Sequence, residues 1–380
     1  MVARRSFISI ALSVALAGAI LTGPPSTAQA VGTGVFIQEN LVSDQPGVAA
    51  ITDPNLVNAW GISHGPTTPV WVSDNGTDLA TLYRGAVDTT PVSVAPLTVG
   101  IPGGAPTGQV FNDTMAFVLP DGLPASFIFA SENGSIAAWN GGEGTEAVTV
   151  ASSDGAVYKG LALAHTASGP ELLAANFHDN RIDVFGADFM PIPSAGMFQD
   201  PNLPAGYAPF NVAEINGQIF VTYALQDAQA EDDVAGPGHG FVDVYSTDGM
   251  FVRRLVTHSV LNSPWGITTA PSTFGRFGGD LLIGNFGDGR IHAFDPTTGE
   301  VLGVLRGTSG RPLMIDGLWA LVVGDPAAGG TDAIWFSAGP NDEQHGLLGV
   351  LRPQMADGHH ARHGDHRHGD HHRHHFGHRR

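Results

Sequence analysis

What most constrains this chain is a pattern that returns about every fifty residues. Residues 261–300 read LNSPWGITTAPSTFGRFGGDLLIGNFGDGRIHAFDPTTGE: a short apolar strand at Trp265-Gly266-Ile267, a second strand ending at Asn285-Phe286, a Gly-Asp-Gly turn, a third strand to Phe294, and a DPTTG turn into a fourth. Gly, Asp and Asn tolerate the positive φ that tight hairpins need, so turns of this kind between short alternating runs mark antiparallel strands. Aligned on the large-small-large triplet, the copies are Trp60-Gly61-Ile62, Met115-Ala116-Phe117, Leu161-Ala162-Leu163, Phe210-Asn211-Val212, Trp265-Gly266-Ile267 and Trp319-Ala320-Leu321, at intervals of 55, 46, 49, 55 and 54 residues. A single four-stranded unit cannot bury both of its faces, so it needs neighbours. Six such units predict an all-β, six-bladed β-propeller.

The last copy turns polar after Leu351 and lacks a fourth strand, while residues 35–42, ahead of the first copy, alternate like one. Pairing of that N-terminal strand with the last blade is therefore expected to close the ring and remove the open edges.

The chain opens with Arg4 and Arg5, an apolar run from Phe7 to Leu21, and Ala28-Gln29-Ala30. That order predicts an export signal over residues 1–30, by the general secretory or twin-arginine route, with the propeller over 31–356 and a periplasmic or extracellular destination. No other apolar run is long enough to span a bilayer as a helix. There is no cysteine, which excludes disulfides, thiolate chemistry and Cys-based zinc sites, and leaves core burial to stabilise the fold.

Between the signal and Gln354 there are ten Lys and Arg against 33 Asp and Glu, a net charge of −23, and Lys159 is the one lysine of the whole chain. A body of that sign repels phosphate backbones and anionic lipid, so nucleic acid is not expected among its partners. A small molecule, a glycan or a protein remains, and the chain is expected to be a monomer.

The stretches NLVSDQPG (40–47), DPNLVNAWGI (53–62) and DDVAGPGHGFVDV (232–244) resemble an uncharacterised family of exported bacterial proteins named for members that carry a PEP-CTERM sorting tail. The resemblance covers most of residues 35–352 and implies a propeller related in architecture to the NHL-repeat, YVTN and gluconolactonase types. It implies no activity. The PEP-CTERM tail itself is absent here.

Two groups of residues could hold a metal. Asp74, Glu132, Asn176 and Asn285 stand at the ends of second strands, and equivalent positions of successive blades surround one axis. Carboxylate and amide oxygens there suit Ca²⁺, as in gluconolactonase-type channels, although Asp and Asn at strand ends also cap turns. The long insertion at 226–240 carries Asp227, Glu231, Asp232 and Asp233, which repel one another unless a cation such as Ca²⁺ or an arginine lies between them. No motif for an organic cofactor is present. The remaining histidines, among them His64 and His165, show no metal-ligand spacing and read as hydrogen-bonded or surface residues.

From residue 357 onward the chain is His-rich, with His359, His360, His363, His366, His368, His371, His372, His374, His375 and His378 set among Arg, Gly and Asp. Such a composition cannot build a packed core and binds Zn²⁺ or Ni²⁺ weakly through neutral imidazole. The leading expectation is an exported binding or scaffold module with a metal-binding tail. The alternative is a divalent-metal-dependent hydrolase of lactones or esters working in the axial channel. The enzyme requires at least three of Asp74, Glu132, Asn176 and Asn285 to converge on one cavity.

Overall fold

The computed structural model describes residues 34–354. The signal expected over 1–30 and the histidines of the tail from 357 onward lie outside the described residues. Six small antiparallel sheets form the six blades of a propeller. From the axis outward, blade 1 comprises Ala59–Ser63, Val70–Asp74, Leu79–Arg84 and Ser93–Val94; blade 2 Pro106–Phe111, Phe127–Ser131, Ser135–Trp139 and Val148–Ser152. Blade 3 comprises Tyr158–Thr166, Gly169–Asn176, Arg181–Phe185 and Pro191–Ile192; blade 4 Tyr207–Ile215, Gln218–Leu225, Phe241–Tyr245 and Phe251–Thr257. Blade 5 follows with Pro264–Thr269, Leu281–Asn285, Ile291–Phe294 and Val301–Val304.

Blade 6 takes Leu318–Val323, Ile334–Ala338 and Leu347–Pro353 from the end of the chain, and Phe36–Ser43 from its beginning. The two ends pair antiparallel, Phe36 opposite Pro353 and Ser43 opposite Leu347, so the ring closes as the strand pattern predicted. Ser43 Oγ also donates to the carbonyl of Gly346 at 2.8 Å.

Apolar packing lies between blades. Separate clusters join blades 1 and 2 (Trp71, Phe127, Phe129), 2 and 3 (Ile128, Leu163, Leu172), 3 and 4 (Leu173, Val212, Tyr223), 4 and 5 (Val244, Ile267, Ile283), and 5 and 6 (Leu282, Leu318, Phe336). A further cluster joins blades 6 and 1 and runs into the axis through Trp60, Phe210, Trp265 and Trp319. The alternation of each strand thus serves two neighbouring interfaces at once, one per face.

All six inner strands carry a register shift against the second strand at the same place, as between Ala59 and Ile62 or Pro264 and Gly266. A bulge there twists the strand and re-aims its side chains. Superposing the bulges corrects the sequence alignment in two blades. Met115-Ala116-Phe117 is not the inner strand of blade 2 but part of the connection that follows it. Met115 is exposed, and Phe117 is buried against Phe189 of blade 3. The equivalent triplet is Thr107-Gly108-Gln109, and in blade 3 it is Lys159-Gly160-Leu161, two residues before the apolar LAL run. The intervals then become 47, 52, 51, 55 and 54. The small middle residue has a steric cause: a Cβ on Gly61 would stand 2.4 Å from the carbonyl oxygen of Thr107, and one on Gly108 2.4 Å from the amide nitrogen of Leu161. At these two positions neighbouring inner strands approach too closely for a side chain, whereas blades 4 and 6 carry Asn211 and Ala320 there.

Candidate functional site

The first residue of each corrected triplet, Trp60, Thr107, Lys159, Phe210, Trp265 and Trp319, occupies one position repeated around the ring. Trp60 and Trp319 stack at 3.6 Å between ring centroids, and Trp265 meets both edge-on. Phe286 stacks on Trp319 at 4.0 Å and Phe210 packs beside it. These three tryptophans are at most 5% exposed, so the aromatic cluster plugs the axis. Blade 3 puts the chain's single lysine at the position that four other blades give to an aromatic ring.

Lys159 is 2% exposed and donates to Glu132 Oε1 at 2.5 Å and to Asp232 Oδ1 at 2.9 Å, with its ammonium 5.3 Å from the Trp60 ring. Burial pulls its pKa down, but the charges and hydrogen bonds of Glu132 and Asp232 outweigh burial and leave it raised. The network continues from Glu132 Oε2 to Asn75 Nδ2 at 3.0 Å, from Asn75 Oδ1 to Asn58 Nδ2 at 3.1 Å, and from Asn58 Nδ2 to Glu343 Oε2 at 2.6 Å. The indole N–H groups of Trp319 and Trp265 tie the plug to it, donating to Asn58 Oδ1 and to the Lys159 carbonyl. Glu343 is held in place by a left-handed turn, with Asn341, Asp342 and Glu343 at φ 59°, 51° and 61°. Burial lifts its pKa to about 7 against the opposing pull of Asn58 and Lys159.

Of the four second-strand candidates, Glu132 alone reaches this axial network. Asp74, Asn176 and Asn285 are the last residues of their strands and are wholly buried inside their own blades. Asn176 bonds Asp179 and Asp183, and Asn285 bonds Asp288 and the Val260 carbonyl, so both secure their own turns or the loop beside them. Asp74 has Thr81 close enough to lower its pKa, yet neither of its oxygens reaches hydrogen-bonding geometry, and burial raises the pKa well above the usual range. The residues one step later, Asn75, Glu132, Phe177 and Phe286, are the ones that face the axis. Strand parity accounts for the difference, since a shift of one residue exchanges the two faces.

The acidic insertion behaves similarly. Asp232 pairs with Lys159, which supplies the cation that its crowded carboxylates require. Asp227 accepts from the backbone N–H of Glu231, Asp232 and Gln229, and these bonds hold its pKa low. Asp233 has a pKa raised by burial, and Glu231 is exposed. Among the described residues no group of three or more His, Asp and Glu side chains is arranged to hold a metal ion.

At the opposite end of the axis, where the inner strands finish, lies an open bowl of about 520 Å³. Its lining includes Ile62, Leu161, Leu163, Val212 and Val322, with Ser63, Gln109 and Asn216 as neutral polar members and His64, His165, Asp113 and Glu214 as titratable ones. Below it a narrow space of about 90 Å³, bounded by all six inner strands, ends on Trp265. His165 Nδ1 meets Glu214 Oε2 at 2.9 Å and Nε2 meets Asp113 Oδ1 at 3.0 Å. The Glu214 hydrogen bond, against the loss of water and with help from Asp113, raises the His165 pKa. His64 stands between the Val323 carbonyl at 2.9 Å and Asp325 Oδ2 at 3.1 Å. Both ring nitrogens of His165 therefore face a carboxylate oxygen, which is the arrangement that suits an imidazolium with both N–H groups engaged, whereas His64 Nδ1 and Asp325 Oδ2 are close without reaching hydrogen-bonding geometry.

Sequence reading missed Lys159 and the two bowl histidines. Lys159 was recoverable from the bulge glycines 61, 108, 160 and 266, which align the triplets better than their apolar residues do. Nothing in the sequence marked His64 and His165, because their partners are about 50 to 260 residues away.

The chain is 32% identical over 324 residues to an uncharacterised protein of Acanthamoeba polyphaga mimivirus, covering 82% of this chain and 78% of that protein. It belongs to the same family. A second uncharacterised protein of the same virus is 31% identical over 326 residues, covering 82% of this chain and 84% of its own length. No family model matches the chain, so the resemblance to the exported bacterial family rests on its quoted motifs. Similar solved structures include a streptogramin B lyase (TM-score 0.47, 10% identity, 84% of this chain and 97% of that one) and Kuenenia stuttgartiensis hydrazine synthase (0.44, 15%, 82% and 99%).

Proposed function

We propose that this protein is an exported binding module that takes a small molecule in the bowl at the end of its axis. The observation that carries this reading is the blind funnel: a 520 Å³ bowl over a narrow throat, closed by the tryptophan plug. A concave site of this size, whose wall combines apolar side chains with convergent polar groups, is a form that small-molecule pockets take. Binding is favoured over catalysis because both ring nitrogens of His165, the exposed imidazole of the bowl, are engaged with carboxylates, which leaves it no free lone pair to act as a base. The hydrolase alternative draws no support from Asp74, Asn176 and Asn285, whose side chains serve their own blades.

The test is a thermal-shift and calorimetric screen of small polar and amphiphilic compounds on the full mature chain. It runs beside Val322→Trp, which fills the bowl from a half-buried position. Ligands that bind the parent and not the variant support the reading. Ligands that bind both equally, or a screen with no binder, remove it.

A further inference from the structure

We infer that the bowl selects an organic cation carrying an apolar body, an amine or quaternary ammonium rather than an anion or a neutral glycoside. This rests on the reading of the bowl as a ligand site and adds the chemical class.

Three observations converge on it. The apolar surface formed by Ile62, Leu161, Val212 and Val322 lies toward the throat, so a hydrocarbon body entering there leaves water. The charged side chains lining the bowl are Asp113, Glu214 and the two histidines, with no lysine or arginine among them, and Asp325 stands behind His64. Asp113 and Glu214 each spend one oxygen on His165; among the described residues the second oxygen of each makes no hydrogen bond. Even with both histidines protonated, the three carboxylates of Asp113, Glu214 and Asp325 outnumber them and leave the wall with a negative charge. Asp113 is 56% exposed and His165 50%, so the charge is presented to solvent and to an incoming ligand.

The field of the whole body has the same sign. With ten basic side chains against 33 acidic ones, the propeller concentrates cations at its surface and repels anions. A cation in the bowl gains a charge-assisted contact with Asp113 and Glu214 while its body covers the apolar wall.

The experiment uses the full mature chain and three probes with the same hydrocarbon tail below micelle-forming concentration: octyltrimethylammonium, octyl sulfate and octyl glucoside, titrated calorimetrically into the parent, Val322→Trp and Asp113→Asn. The expected result is that the ammonium binds at least about tenfold more tightly than either other probe. Its affinity should fall in Asp113→Asn and as ionic strength rises from about 20 to about 300 mM. It should be lost in Val322→Trp. Equal or better binding of octyl glucoside, lost in Val322→Trp, would keep the bowl as a ligand site and overturn the cation class. Preference for octyl sulfate overturns the class as well. Ammonium binding that persists in Val322→Trp is adsorption to the acidic surface and overturns the proposal. Absence of binding by all three probes overturns both readings.

Discussion

Replacing Lys159 by Met removes one charge and keeps most of the methylene packing against Trp60. Three acidic side chains, Glu132, Asp232 and Glu343, are then left around an apolar plug without their cation. Breaking a buried ion pair by deleting one partner costs about 3–5 kcal/mol, because the surviving charge is stranded. Here the cost is set near the lower end. Lys159 is 2% exposed and Glu132 29%, but Asp232 is 72% exposed and can return to water by swinging outward. The expected loss is about 3 kcal/mol, a fall in Tm of roughly 4 to 5 °C for a domain of this size.

The assay is chemical and thermal unfolding followed by tryptophan fluorescence, to which Trp60, Trp265 and Trp319 of the plug contribute three of the chain's six tryptophans. Two further measurements isolate the mechanism. Adding Glu132→Gln to Lys159→Met removes the stranded charge and should recover at least about 1 kcal/mol, a coupling of the size found between contacting groups. Lowering the pH below 7 should narrow the gap between Lys159→Met and the parent as Glu343, with its pKa raised to about 7, takes up its proton. A loss below about 0.5 kcal/mol, within the range of ordinary surface substitutions, would refute the claim that the axis depends on this lysine. So would a double variant no better than Lys159→Met alone.

Three other outcomes are expected. Glu343, with its pKa raised from 4.5 to about 7, adds its full contribution to stability below pH 4.5 and loses it as the pH climbs through 7; Glu343→Gln should flatten that decline in pH-dependent unfolding and gain up to about 3 kcal/mol at pH 8. Asp74 is likewise a carboxyl with a raised pKa, so its stability contribution also fades as the pH rises, and Asp74→Asn, the residue found at the equivalent positions 176 and 285, should stabilise the protein at pH 7 by about 1–3 kcal/mol in urea unfolding. Gly108→Val places side-chain atoms against the backbone of Leu161 and should prevent soluble folding, whereas Gly155→Ala, in open space but at φ 76°, should cost only about 1 kcal/mol by the same assay.

Much of this architecture could be read from residue order alone. Hairpin turns, alternating strands and a period near fifty residues require several sheets that bury each other. The unpaired strand expected at 35–42 and the missing outer strand of the last sheet leave one way to close them. These are local signals, written in neighbouring residues and therefore legible without coordinates. The choice between Asp74 and Asn75, or between Leu161 and Lys159, was not of that kind. It depended on a bulge in each inner strand that moves side chains from one face to the other; glycines 61, 108, 160 and 266 mark it in four blades, but their meaning is plain only once the strands are superposed. The bowl lay further still from sequence reading. Asp113, His165 and Glu214 come from three different blades, and Asp325 meets His64 only because the ring closes. Which charges share a wall is settled by the curvature of the whole assembly, since the groups that face one another across an axis are separated by entire blades of chain.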